Sequence, residues 1–115
     1  MQNNGIVTLQ PPSSGRAYVT EHVLEVSKAN DVGDKITFEA KDSGFVITIP
    51  NADTLFVNTP KTLTFRVSAG GSKETEPIRD NVTVGEEYEY HVYCEDESDW
   101  DHKPGSSPPK IIIVD

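Results

Sequence analysis

The 115-residue chain contains a single cysteine, Cys94, and a single methionine, Met1. One cysteine cannot form a disulfide within the chain, and it excludes any zinc site that needs two or more thiolates from it. No apolar run reaches the length of a membrane span, so we expect no membrane insertion. The start of the chain lacks the basic and apolar regions of a secretory signal. The sequence is therefore compatible with a cytoplasmic protein and with an exported domain whose signal has been removed.

Basic residues are in the minority, with 10 Lys and Arg against 19 Asp and Glu, which gives a net charge of -9. Affinity for nucleic acids depends on clustered Lys and Arg, and the sequence has no such cluster. The same shortage counts against binding to anionic membranes. An acidic surface is complementary to a basic partner, whereas nucleic acid is not expected as a partner.

Motifs that carry catalysis are also missing. No serine lies in a Gly-x-Ser-x-Gly turn, and the Gly70-Gly71 pair is not followed by the helix that a phosphate-binding loop requires. The densest group of carboxylates lies in the acidic segment 95–101, where contact with water should leave them ordinary acids. We therefore do not expect an enzyme.

Alternation of apolar and polar residues is the main structural signal. The clearest case is segment 35–41, where every second residue is apolar, and no stretch shows helical spacing. Turn-forming residues separate the segments, including an expected flexible loop at 69–73. The pattern predicts one all-β domain over 1–115, a sandwich of seven to eight strands with residues 1–4 frayed. The remaining strands are predicted at 6–9, 18–26, 45–49, 62–67, 78–84, 88–94 and 111–114.

Two of these strands have informative faces. The last strand, 111–114, is apolar on both faces, which predicts a central or covered position. In the strand before it, Tyr88 and Tyr90 share a face with Cys94 and are predicted to face the core. Tyr93 has the opposite parity and is expected to be exposed.

The last third of the chain resembles the ending of a cupredoxin. A glycine turn leads into a tyrosine-rich strand that ends at Cys94, a polar loop holding His102 follows, and the apolar strand 110–114 closes the chain. Segment 34–44 is similar to the strand and turn that precede the first histidine ligand of that family. The resemblance covers the order of elements from about residue 30 to 115 and implies a Greek-key β-sandwich.

The resemblance does not extend to a complete copper site. At the position of the first histidine, this chain offers Gly44, Phe45 or Val46, and none of them binds a metal. The loop after Cys94 has no methionine to serve as an axial ligand. A blue-copper centre needs two imidazoles and a thiolate, so the expected cofactor is none.

The alternative is a protein that binds copper or another transition ion. Cys94 and His102 would be ligands, and His22 or an acidic side chain would be the third. Val92, on the same strand face as Cys94, is a second candidate for the counterpart of the ligand cysteine. The competing interpretation of Cys94 is a small buried hydrophobic residue, since the acidic residues after it disfavour a thiolate.

The loop at 95–109 is the candidate working surface. Five carboxylates lie within its first eight positions, which suits either a weak calcium site or a solvated loop. An aromatic residue among them, Trp100, either anchors a partner, stacks on a sugar or covers the end of the sandwich.

The leading hypothesis is a non-enzymatic binding or structural module that acts through this loop. Its contact residues would be Trp100, Tyr93, Asp99 and Asp101, and its partner a protein, a carbohydrate or a second copy. A further alternative is an immunoglobulin-like accessory domain. Strand order separates the two folds, because a cupredoxin's last strand lies beside the cysteine-bearing strand with an early strand parallel to it nearby.

Overall fold

The computed structural model describes residues 1–10, 19, 22–96, 99–100 and 108–115. Within these residues the chain forms short strands and two 3-10 helices, so the predicted all-β class is confirmed, with ten strands instead of seven to eight. In chain order the strands are β1 (Ile6–Leu9), β2 (Val23–Ser27), β3 (Thr37–Ala40), β4 (Phe45–Pro50), β5 (Thr62–Val67), β6 (Ser72–Glu74), β7 (Glu87–Glu89), β8 (His91–Cys94), β9 (Asp99–Trp100) and β10 (Lys110–Val114). The 3-10 helices are Gln2–Gly5 and Ala52–Thr54.

The strands form three hydrogen-bonded sheets with the orders β1-β3-β6, β2-β10-β7 and β5-β4-β8-β9. The sequence predicts one strand over 88–94, but β7 pairs with β10 while β8 pairs with β4. Between them, the Tyr90 N–H donates to the Pro109 carbonyl at 3.0 Å. The segment that leads to Cys94 therefore joins two sheets, because its hydrogen-bond partner changes at Tyr90.

The last strand, β10, lies between two neighbours as its apolar faces predict. It pairs in parallel with β2 and antiparallel with β7. Ile111 and Ile113 are buried, and the alternate positions, including Ile112, are half-buried. The strand therefore contributes its main apolar face to the core and keeps its other face partly covered.

Aromatic side chains connect the facing layers of the sandwich. The Phe38 ring on β3 lies 5.6 Å from the Phe65 ring on β5 and 5.8 Å from the Tyr90 ring, both in inclined geometries. Such inclined ring pairs are favourable beyond their buried area. Phe38 and Tyr90 are fully buried, and Tyr88 is nearly so, which confirms the predicted core-facing tyrosines.

Two segments differ from the sequence prediction. In 78–84, the structure contains an isolated bridge between Ile78 and Phe56 and no strand. In 69–73, predicted as a flexible loop, Ser72 begins β6, which pairs antiparallel with β3. All three β6 residues are exposed, so this edge strand has no buried face and no apolar alternation from which to predict it.

The start of the chain also differs from the expected frayed segment. Gln2–Gly5 forms a 3-10 helix, and the Met1 amino group lies 3.0 Å from both carboxylate oxygens of Asp31. The Asp31 carboxylate also accepts a hydrogen bond from the Ser27 N–H at 2.7 Å. These contacts fix the first residues against the turn after β2. Among the described residues, no helix has the length and apolar character needed to cross a bilayer.

Candidate functional site

The candidate site lies at the end of the sandwich that carries Cys94. This residue ends β8 and is fully buried, and its thiol is free. In the register of the sheet it pairs with Phe45, the first residue of β4, which is also fully buried. Cys94 therefore occupies a position in the core, in agreement with its interpretation as a small buried hydrophobic residue.

The two residues after Cys94 bond to the turn that precedes β4. The Glu95 N–H donates to the Gly44 carbonyl at 3.0 Å. The Ser43 hydroxyl donates to Asp96 Oδ2 at 2.6 Å, and Ser43 is buried although serines are usually exposed. The turn before β4 and the turn after β8 are thus joined through both backbone and side chains.

An ion pair adds a third connection at this end. Arg66 on β5 holds the Glu95 carboxylate through Nε, at 3.0 and 2.9 Å from its two oxygens, and through Nη2 at 2.7 Å. Its Nη1 donates to the Ser68 hydroxyl at 3.0 Å. The hydrogen bonds from Arg66, followed by its charge, lower the pKa of Glu95. Two-pronged arginine–carboxylate pairs of this kind combine charge with a defined geometry.

Gly44 lies where the Glu95 side chain crosses β4. The order β5-β4-β8 places β4 between the two partners, and two strand spacings amount to about 10 Å. A Cβ atom at Gly44 would collide with Glu95 Oε1 and lie 2.9 Å from Arg66 Nη2. The ion pair therefore occupies the space that a side chain at position 44 would take, and a larger residue there would displace the ends of Glu95 and Arg66.

We name this arrangement the β4 clamp. It consists of the Arg66–Glu95 ion pair, the Ser43–Asp96 hydrogen bond and the open position at Gly44. No local sequence pattern predicts that these residues pair with one another. Arg66 and Glu95 are 29 residues apart, and only the register of β5, β4 and β8 brings them together.

The described residues do not fit a copper centre at Cys94. Gly44, Phe45 and Val46 offer no metal-binding side chain, and the space beside Gly44 is taken by Glu95. Within the part of the chain that the structure describes, no group of three or more His, Cys, Asp or Glu side chains can hold a metal ion. We therefore assign no chemical step to a metal.

Of the two histidines proposed as ligands, the structure describes only His22. His22 precedes β2, and its carbonyl accepts a hydrogen bond from the Lys110 N–H at 2.9 Å. Lys110 pairs with Glu89, which lies five residues before Cys94 in the chain. His22 therefore lies next to the Lys110–Glu89 pair, at the end of β7. His102 lies outside the described residues, so its role as a ligand stays a prediction.

The proposed binding residues meet at a β-hairpin formed by β8 and β9. Tyr93 pairs with Trp100 and Cys94 pairs with Asp99, at the outer edge of the four-stranded sheet. Tyr93 is half-buried, which is less exposed than the sequence predicts, because it lies in a row with Val46 and with β9. Asp101 lies outside the described residues.

A second cluster of polar groups lies around Tyr88. The Tyr88 hydroxyl donates to Glu86 Oε2 at 2.9 Å and lies 3.0 Å from the Thr54 hydroxyl oxygen. Burial raises the pKa of the Tyr88 phenol, and the charge of Glu86 adds to this. The cavity beside it is also lined by Glu87 and His91. These contacts serve to anchor β7 against the 3-10 helix Ala52–Thr54.

The strand order and the position of Cys94 together define the class of the domain. The last strand, β10, pairs with β7, the strand that precedes the Cys94-bearing strand β8, and the early strand β2 is parallel to β10. The parallel early strand agrees with the order expected for a cupredoxin, whereas β8 itself lies in the other sheet, paired with β4 and β9. The domain is therefore a cupredoxin-like β-sandwich.

Solved structures of amicyanin, a cupredoxin, have the same fold. A mutant of amicyanin in its reduced Cu(I) form at pH 4 is similar with a TM-score of 0.51 and 14% sequence identity, covering 98% of this chain and 84% of that one. Another amicyanin mutant in a Cu(I) form has a TM-score of 0.52 and 12% identity with the same coverage. No family model matches the sequence, and no curated protein matches it. At these identities the likeness shows the fold alone.

Proposed function

We propose that this protein is a non-enzymatic binding module on a copper-less cupredoxin-like sandwich, acting through the β8–β9 hairpin and the 95–109 loop. The observation that carries the proposal is the pairing of β9 with β8, in which Trp100 and Asp99 take the register positions opposite Tyr93 and Cys94. This pairing gathers three of the four predicted contact residues at one sheet edge.

A rigid base supports recognition by such a loop. The β4 clamp bonds Glu95 and Asp96, the first two residues of the loop, to Arg66 and Ser43. Loops held by a rigid scaffold commonly carry binding residues, and preorganisation lowers the entropic cost of association. The first two residues of the loop are therefore bonded to the sandwich.

Charge favours a basic protein surface or peptide as the partner. The chain has a net charge of -9, and the loop is rich in carboxylates. Glu95 and Asp96 already have partners within the protein, so we assign recognition to Asp99 and Asp101, with Trp100 as the apolar anchor. Complementary charges of this kind give specificity and speed association.

Titration of the protein with octalysine, followed by tryptophan fluorescence, tests this proposal. Trp100 is the only tryptophan, so its emission reports on the loop directly. We expect a saturable change in emission that weakens as salt screens the charges. Asp99→Asn and Asp101→Asn should each lower the affinity about two- to five-fold, the range for exposed ion pairs.

The matched control is Glu25→Gln, which removes one exposed carboxylate from β2 in a different sheet. It should leave the affinity for octalysine unchanged. Unaltered Trp100 emission, or equal losses in Asp99→Asn and Glu25→Gln, would contradict the proposal. A response to cellohexaose in place of octalysine would identify a carbohydrate site and reject the basic partner.

Metal binding is the second candidate function. It is supported by the amicyanin structures of the same fold, which are described as Cu(I) forms. Cys94 and His102 would be the ligands, with His22 as the third ligand named from the sequence. This candidate predicts uptake of one copper ion per chain, which Cys94→Ser abolishes.

A further inference from the structure

The outer face of the sheet β5-β4-β8-β9 carries a row of residues that the core does not use. On β8, Cys94 faces the core, so Tyr93, the residue before it, projects from the opposite face. Tyr93 pairs with Val46 of β4 and with the position of Trp100 on β9. Val46 pairs in turn with Arg66 of β5. Paired residues on one face lie about 5 Å apart, so these four positions form one continuous surface, which we name the outer row.

The outer row combines apolar contact area with a neutralised charge. Val46 and Tyr93 are half-buried, so part of each side chain stays accessible to a partner. The Arg66 guanidinium is held by the Glu95 carboxylate at 2.7 to 3.0 Å. A positively charged partner can therefore approach the row without strong repulsion from Arg66. Tryptophan, tyrosine and arginine are also the residue types most enriched among the energetically important positions of protein interfaces.

The end of this face away from Cys94 opens into an acidic cavity. Its lining includes Pro50 of β4, His91 of β8 and the three glutamates Glu86, Glu87 and Glu89. Glu86 accepts a hydrogen bond from the Tyr88 hydroxyl, and Glu87 accepts one from the Lys110 ammonium. Glu89 is exposed and has no hydrogen bond or ion pair within the described part of the chain. Its carboxylate is therefore available to a cation.

The outer row thus lies between two groups of carboxylates. Asp99, with Asp101, belongs to the loop at the Cys94 end, and Glu89 lies four residues before Tyr93, up to about 13 Å along an extended chain. A complementary segment has basic residues on both sides of apolar ones. We infer that the outer row binds an extended basic segment of a partner protein, whose apolar side chains pack on Val46 and Tyr93. The inference rests on the proposed function, because it extends the loop site onto the sheet.

Two heptapeptide amides of equal charge test this inference, Lys-Leu-Lys-Leu-Lys-Leu-Lys and Lys-Ser-Lys-Ser-Lys-Ser-Lys, each titrated into the full chain by isothermal calorimetry. The charged contacts are the same for both peptides, so a difference in affinity reports the apolar contact. We expect the leucine peptide to bind about tenfold more tightly than the serine peptide, because its leucines leave water on the outer row.

Substitutions in the outer row should remove this preference. Val46→Thr and Tyr93→Thr keep a β-branched residue in the strand, and each should reduce the preference to about twofold, because apolar contact area is lost. The matched control is Val23→Thr, which changes an exposed valine on β2 in a different sheet. It should leave the tenfold preference unchanged, whereas equal losses in Val23→Thr and Val46→Thr would overturn the inference.

A further variant covers the case in which the strand substitutions do not fold. Glu89→Gln changes one exposed side chain and should weaken the binding of both peptides about two- to five-fold, while an unchanged affinity would count against the outer row. Equal affinities of the two peptides for the natural chain would overturn the inference and leave the loop site standing. A leucine preference that depends on Val46 but not on Asp99 or Asp101 would support the outer row and reject the loop. Absence of binding by either peptide would overturn both.

Discussion

Replacing Phe38 by alanine is expected to lower the free energy of unfolding by about 3–5 kcal/mol, the range for removal of a large aromatic side chain from a core. Phe38 is fully buried on β3, and its ring contacts Phe65 and Tyr90 from the opposing strands. The substitution leaves a cavity between the two layers and removes both ring contacts at once. Urea denaturation followed by circular dichroism measures the loss.

Phe65→Ala is the matched control for this substitution. Phe65 belongs to the same ring cluster but is only partly buried, so it transfers less apolar area from water and leaves a cavity open to solvent. We expect a clearly smaller loss than for Phe38→Ala. Equal losses for the two variants, or a loss below about 1 kcal/mol for Phe38→Ala, would show that the layers do not meet at Phe38.

Ile111→Asn is expected to cost about 4 kcal/mol or more, because it combines a cavity with a buried amide. Ile111 is fully buried on β10, which is paired on both edges. Small domains are stable by only about 5–15 kcal/mol, so the variant should unfold at much lower urea concentration or fail to fold.

The neighbouring substitution Ile112→Asn tests the same strand from its other face. Ile112 is only half-buried, so its amide can keep contact with water and the loss should be much smaller. The urea midpoints of the two variants give the comparison. A larger loss at Ile112 than at Ile111 would reverse the assigned register of β10.

Strands with one buried face were predictable from the sequence. Segment 35–41 shows regular alternation, and β3 buries Phe38 and Ala40 as that alternation predicts. The apolar character of 111–114 likewise predicted the middle position of β10. In these segments, the alternation of apolar and polar residues directly predicts which side chains are buried.

Other features depend on contacts that no local pattern encodes. The strand β6 has only exposed residues, and it forms because β3 offers a free edge. The change of partner at Tyr90 depends on where β10 begins, since the Tyr90 N–H bonds to the carbonyl of Pro109, the residue before β10. A period-two pattern continues unchanged through Tyr90, so it could not reveal that the strand passes from one sheet to another.

The candidate site was predictable only in part. The order of the chain predicts Cys94, Tyr93 and Trp100 as candidate residues, the structure pairs Tyr93 with Trp100, and their roles stay predictions. The partnership of Arg66 with Glu95 did not, because each is an ordinary surface charge in its own segment. The two side chains meet only because the register of β5, β4 and β8 brings their positions together.

Titration of reduced, metal-free protein with Cu(II), in the absence of reducing agent and with the visible spectrum recorded, tests the central claim most directly. The claim is that this cupredoxin-like sandwich works without copper, because Cys94 is buried in the core and the described residues bring no group of metal ligands together. We predict no thiolate-to-copper absorption band at one equivalent of copper. A strong band that disappears in Cys94→Ser would contradict the claim and assign Cys94 as a copper ligand.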